Sequence, residues 1–264
     1  MSNPPLAKYF RDKEIVTLRS AWNDQKATFI GFKGGDNKMN HGHLDLGSFV
    51  MDASGERWAI DLGSDDYNLP GYFGSQRWDY YRLRAAGHNT LVINPDAKPD
   101  QDTKSTAKIV RFSERPGAAF AIADLSNAYA RNAKSVQRGL KLEGRNVLIQ
   151  DEIHINKSAD VWWFFHTGAK VDCNGTTAIL TQGGKKLTAT LLSPPGASFS
   201  VLPAKQMTTS PQPPRKQVKA ISTSNPKKLS VHCLASGSVR ITVLLTPDDA
   251  PKSKTDILPL AKWR

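Results

Sequence analysis

The residues best suited to chemistry gather in one stretch, NHGHLDLGSF, from Asn40 to Phe49. His41, His43 and Asp45 fall there at every second position. In an extended strand such residues share a face, so the spacing predicts a strand that presents two imidazoles and a carboxylate together. Burying three ionisable groups without partners is costly, which makes this an odd way to build a core. The plain alternative is a solvated strand face that carries two histidines.

Two later residues favour chemistry. Asp61 ends the strand-like run RWAID, and His88 precedes another in GHNTLVIN. With one of the two early histidines they make a His2Asp set, a donor type that suits zinc and leaves a fourth position for water. The other early histidine would then be free for proton transfer near neutral pH. A different set uses the same stretch. His43-x-Asp45 with His88 has the count of an Fe(II) oxygenase triad. Against it, only Lys98 follows His88 within ten residues as an anchor for a 2-oxoacid.

The elements that must position these groups read as strands. Short β-rich runs such as ATFIGF (27–32), GSFVMDA (47–53), NVLIQDEIHI (146–155) and DVWWFFHT (160–167) alternate with turn signals at Ser54-Gly55, Asn174-Gly175 and Gly183-Gly184. Residues 186–192 alternate in polarity, as for a sheet with one wet face, whereas VWWFF is apolar throughout and fits a strand covered on both sides. Gln76–Ala86 is the best helical segment, and the Pro-rich stretch 210–217 reads as a loop. With no linker or repeat, the 264 residues are expected to form a single all-β domain, a large multi-stranded antiparallel sandwich.

Composition narrows the classes. The hydrophobic fraction of 39% is that of a globular chain. Residues 1–100 hold 12 Lys and Arg against 13 Asp and Glu, while residues 101–264 hold 24 against 11. The basic excess of the later part points to a polyanionic partner, or to a solvated basic surface. No dense basic block with interleaved aromatics supports nucleic acid. Cys173 and Cys233 are not in a C-x-x-C pair, and sequence does not decide whether they pair with each other. No apolar run reaches membrane-spanning length, and the N-terminus has no hydrophobic signal core. As written the chain is expected in the cytosol, unless it is a piece of something longer.

The runs N-H-G-H-L-D-L-G-S-F, A-I-D-L-G-S-D-D-Y and G-H-N-T-L-V-I-N, in this order and spacing, resemble the C-terminal domain of the heparinase II/III-like polysaccharide lyases, which include heparinases II and III and related alginate lyases. The resemblance is strongest over residues 40–95. It implies a super-sandwich, zinc held by His43, Asp61 and His88, and His41 facing the substrate and taking part in catalysis, by neutralising the carboxylate or acting as base. The implied reaction is β-elimination on a uronate-containing polysaccharide. Such a reaction needs a neutralised carboxylate, a base for the C5 proton and an acid for the leaving oxygen. Tyr72, in LPGYFGS, is the favoured acid among Tyr67, Tyr72, Tyr80 and Tyr81; each could equally be a packed aromatic. Arg82 and Arg84 are candidates to grip a carboxylate or sulfate, or to form surface ion pairs. Asn40 and Asn89 are candidates to donate to substrate, or to cap turns. Asp45 is expected to orient a neighbouring histidine or backbone, and His154, His166 and His232 to be structural.

The family's N-terminal helical toroid has no counterpart in this sequence. The chain is therefore expected to be the C-terminal part of a longer lyase, or a natural short form, that keeps the fold and the metal with little activity alone. Periplasmic or secreted placement follows from the resemblance only. A non-catalytic module that binds polyanions or carbohydrate is the alternative from another class.

Overall fold

The computed structural model describes residues 4–212, 225–251 and 256–264. In chain order the strands begin with β1 (Ala7–Phe10), β2 (Ile15–Arg19), β3 (Phe29–Lys33), the two-residue β4 (Gly35–Asp36), β5 (Phe49–Ala53) and β6 (Glu56–Ala59). After a non-strand stretch come β7 (Leu91–Ile93), β8 (Thr106–Ser113), β9 (Ala118–Asp124), β10 (Ala133–Glu143) and β11 (Asn146–Thr167). The last are β12 (Lys170–Asn174), β13 (Thr177–Gln182), β14 (Lys185–Ser193), β15 (Phe199–Pro203) and β16 (Lys227–Pro247). The fold is the all-β antiparallel sandwich that the turn-punctuated runs predict.

One sheet has the order β1-β2-β3-β5-β6. The other has eleven strands, ordered β12-β13-β14-β16-β11-β10-β9-β8-β4, with β15 on β16 and β7 on β11. Its spine is β11 against β16. Val147, Ile149, Ile153 and Ile155 of β11 face the main core; a bulge between Ile155 and Ala159 preserves the phase, so Ala159, Val161, Trp163 and Phe165 face it too. The opposite face of β11 is also covered. There Phe164 packs with Ile60, Leu62, Tyr81 and Val92 in a second apolar cluster. That is why VWWFF is apolar throughout, and this second cover carries the candidate site.

Two local expectations are corrected. Gln76–Ala86 is not an α-helix but holds 3-10 turns at Arg77–Asp79 and Tyr81–Leu83, with a third at Ala85–Gly87. Residues 41–45 form no strand. Of the expected loop at 210–217, residues 213–217 lie outside the described residues. Cys173 and Cys233 are both free. Among the described residues, no helix is long and apolar enough to cross a membrane.

Candidate functional site

The stretch from Asn40 to Ser48 is irregular because its backbone groups are met by scattered partners instead of a ladder. Leu44 N–H donates to Leu83 O at 2.9 Å and Gly47 N–H to Lys33 O at 2.8 Å. Leu46 O accepts from Thr90 Oγ1 and from Gln101 Nε2, at 2.8 and 2.9 Å. Gly47 has φ +82°, and a Cβ there would lie 2.5 Å from Leu125 Cδ1, so only glycine fits. His41 itself adopts φ +59°, an uncommon conformation outside glycine that often marks functional turns. The turn sends the two histidines to different neighbours. His41 is exposed, and His43 is half-buried beside His88.

The inner side of the turn brings together the three residues expected to hold metal: His88 is buried, His43 half-buried and Asp61 exposed. His43 and His88 have ring centroids 5.2 Å apart. His88 Nδ1 lies 2.9 Å from Asp61 Oδ2, and Asp61 Oδ1 accepts the Gly63 N–H at 2.7 Å. Burial and the His88 charge hold the His43 pKa down at about 4. Burial works against a charged His88, but the Asp61 carboxylate outweighs it and raises that pKa. Desolvation likewise acts to raise the Asp61 pKa; the His88 charge and hydrogen bond, with Gly63 N–H, outweigh it and hold the carboxyl below its usual range.

As they stand, the described residues contain no group of three or more His, Cys, Asp or Glu arranged to hold a metal ion. The donors nevertheless fit zinc in kind. As the side chains stand, His88 Nδ1 is engaged with Asp61 Oδ2 at 2.9 Å, which leaves Nε2 as the ring nitrogen open to an ion. His88 Nε2 is buried without a hydrogen-bond partner, the kind of atom that a bound ion or water satisfies. Asp45 does not orient a histidine as expected. Its oxygens take the Lys33 ammonium at 2.6 and 2.7 Å, and it reaches His43 and His88 only through its charge. This pairing occupies the carboxylate that an iron triad would need.

Behind His88 runs a buried polar column. Asn89 Nδ2 donates to Phe49 O and Ile60 O, and its Oδ1 accepts the His166 backbone N–H at 2.6 Å. Asn89 therefore ties β5, the residue after β6 and β11 together and is fully buried, not placed for substrate. His166 Nε2 lies 2.7 Å from the Tyr81 hydroxyl and its Nδ1 3.2 Å from Asn89 Oδ1. Burial and the Lys228 charge push the His166 pKa well down, so the ring is neutral. Of the histidines expected to be structural, His166 is buried here, while His154 and His232 are exposed and bonded to Ser238 and Asp160.

Lys228 is 1% exposed, with its Nζ 4.2 Å from the Phe164 ring centroid and 3.3 Å from Lys205 O. Burial lowers its pKa to about 8. Between pH 8 and about 10.4 the unfolded chain binds a proton that the folded chain has released, so this group adds stability as pH rises through that window. The buried charge costs roughly 3 kcal/mol at pH 7, offset by about 1–2 kcal/mol of cation–π attraction. Lys228→Met should therefore unfold at higher urea at pH 7, by about 1–2 kcal/mol, with the gain shrinking by pH 10. A variant less stable than wild type at pH 7 would show that the ring and carbonyl contacts outweigh desolvation.

The open side of the turn is aromatic. Tyr67 stacks on His41 at 5.4 Å and 28°, and Phe73 meets His41 edge-on at 5.2 Å and 82°. Tyr72 lies beneath them, 2% exposed, its hydroxyl accepting the Asp65 N–H at 3.2 Å. Burial raises its pKa. The tyrosine that meets His41 is thus Tyr67, 49% exposed. Arg82 and Arg84 are not surface grips. Arg82 is buried against Asp65 at 3.2 Å, and Arg84 forks onto Asp100 and binds Trp78 O and Lys98 O. Asn40 is exposed beside His41.

Sequence reasoning missed Arg77. Its guanidinium donates to Gly42 O at 2.6 Å and Tyr72 O at 3.0 Å, clamping the histidine turn to the aromatic loop. It also missed Arg138 of β10. Fully buried, Arg138 forks onto Asp151 at 2.7 and 2.9 Å and donates to Gly47 O and Asn89 O, both at 2.8 Å.

Residues 3–230 match the family model described as Heparinase II/III-like, C-terminal. No curated protein matches the sequence. Among solved structures, a heparan sulfate lyase from Pedobacter heparinus superposes with a TM-score of 0.73 at 15% identity, covering 96% of this chain and 38% of that one. A heparinase III aligns with a TM-score of 0.71 at 19% identity, with the same coverages of 96% and 38%. A further heparinase III gives 0.72 at 15%, covering 93% and 37%. At these identities the likeness speaks for the fold, and the chain spans well under half the length of each.

Proposed function

The chain belongs to the family of heparinase II/III-like C-terminal domains, and from that premise we propose that it is the zinc-bearing sandwich domain of a polysaccharide lyase acting on an acidic, uronate-containing polysaccharide. The observation that carries the reading is the split turn. His41 faces outward beside an exposed tyrosine, while the half-buried His43 and the exposed Asp61 gather on the buried His88.

The reaction class follows from what these groups can do. The C5 proton of a uronate is weakly acidic because it lies next to a carboxylate. In this reading the His41 imidazole takes that proton. The C4–C5 double bond forms as the C4–O bond breaks, and the Tyr67 hydroxyl gives its proton to the departing oxygen. Arg77 holds the turn through Gly42 O and so sets where His41 stands. His43, Asp61 and His88 would hold the zinc, which when bound supplies fixed positive charge beneath the turn and a polarised site for an oxygen ligand.

The chain would form one wall of the cleft, and a helical toroid the other. Little or no activity is expected from the chain alone, and placement in the periplasm or outside the cell. The test is elimination itself: incubation of alginate, heparan sulfate, chondroitin sulfate and hyaluronan with the chain alone and with the longest native polypeptide that carries it, reading the ultraviolet absorbance of the unsaturated uronate. Product from at least one polymer, dependent on His41, supports the reading; no product from any uronate polymer with the longer polypeptide would overturn it.

A further inference from the structure

Phe73 is 55% exposed, more than Tyr67, and its environment is unusual for an exposed ring. It makes T-shaped contacts with three neighbours, His41 at 5.2 Å, Tyr67 at 5.1 Å and Tyr72 at 5.1 Å, with interplanar angles of 81–84°. The Arg77 guanidinium stands over one face of the ring, and the exposed remainder is open to solvent. The loop beneath is rigidly held. The Tyr80 hydroxyl donates to Pro70 O, and Arg77 donates to Tyr72 O with its guanidinium 5.5 Å from the Phe73 ring centroid. An apolar ring kept in water on a fixed base, beside the two groups assigned to proton transfer, is a feature that a ligand would cover.

We propose that Phe73 is a substrate-contacting, specificity-determining residue: its face stacks on the C–H face of the pyranose ring that presents its C5 proton to His41. A flat ring fits the axial hydrogens of a pyranose and excludes water from them, so it fixes the sugar's tilt without a hydrogen bond. The ring would hold the carbon face, and the carboxylate would remain for polar groups. Epimers that differ in which face carries axial hydrogens would then be discriminated at this position.

The inference rests on the lyase reading of the same site, so the experiment separates the two. Phe73→Ala, Phe73→Leu and Phe73→Tyr are compared with wild type in the polypeptide that shows elimination, using alginate and heparan sulfate tetrasaccharides. Binding is measured by calorimetry in a His41→Ala background, where turnover does not interfere. The expected result is a KM and a Kd raised at least tenfold by both Ala and Leu, and changed less than threefold by Tyr, with kcat moving less than KM. Leu acting like Phe would show that only apolar bulk matters and would overturn the proposal. So would an unchanged KM and Kd in Phe73→Ala while wild type eliminates normally, which leaves the lyase reading standing. Absence of elimination by wild type overturns that reading and this inference with it.

Discussion

His41→Ala should lower the rate of uronate elimination by about two to four orders of magnitude, the range typical of a lost general base or acid. The effect should fall on kcat and kcat/KM together, since the imidazole acts on a proton that moves only in the transition state. The fold gives a reason to expect this without collapse. His41 is exposed, and its main contacts are Tyr67 and Phe73 on the open side. Removing it also lets position 41 be tested as glycine, because φ +59° suits glycine better than alanine. Both variants should melt near the wild-type temperature and both should be inactive. A His41→Ala enzyme within threefold of wild type would remove His41 from the chemistry.

Arg138→Met should cost about 3–5 kcal/mol of folding stability, the usual consequence of leaving one partner of a buried pair uncompensated. Arg138 and Asp151 sit directly opposite each other on β10 and β11, and neither side chain is exposed. Burial raises the Asp151 pKa against the pull of Arg138, so the carboxyl left behind would take up a proton more readily. The double variant Arg138→Met/Asp151→Leu should recover part of the loss but not all. The carbonyls of Gly47 and Asn89 lose their donor in both, and these flank the histidine turn and His88. Urea unfolding checks the ordering: single lowest, double intermediate, wild type highest. A single variant within 1 kcal/mol of wild type (roughly the scale of a surface ion pair) would mean that Arg138 is dispensable.

That pair was legible and went unread. Val136, Arg138, Leu140 and Leu142 alternate along one strand, and Val147, Ile149, Asp151 and Ile153 along the next. An arginine and an aspartate each standing at a core position of neighbouring strands announce a buried partnership. The sandwich was legible for the same reason: period-two runs between glycine turns leave little else to build. The histidine spacing was also informative, but its local geometry was not. H-x-H-x-D has the period of a strand, and what undoes the strand is the left-handed turn at His41 together with Gly47, whose partners lie in distant segments. Nothing in LPGYFGS says which ring is on top, because Tyr72 is buried by contacts with Asp65 and Tyr80. Arg82 and Arg84 looked available because their acids, Asp65 and Asp100, lie 17 and 16 residues away along the chain, on opposite sides.

The central claim is that His43, Asp61 and His88 form a zinc corner beneath a catalytic turn. It is tested most directly by elemental analysis of the purified chain after exposure to equimolar zinc and desalting, on wild type, His43→Ala and Asp61→Ala, with His232→Ala as a remote control. The account predicts about one zinc per chain in wild type and in the His232 variant, and close to none in the other two. Zinc retained in both His43→Ala and Asp61→Ala, or a wild-type chain that holds no zinc under these conditions, would contradict it.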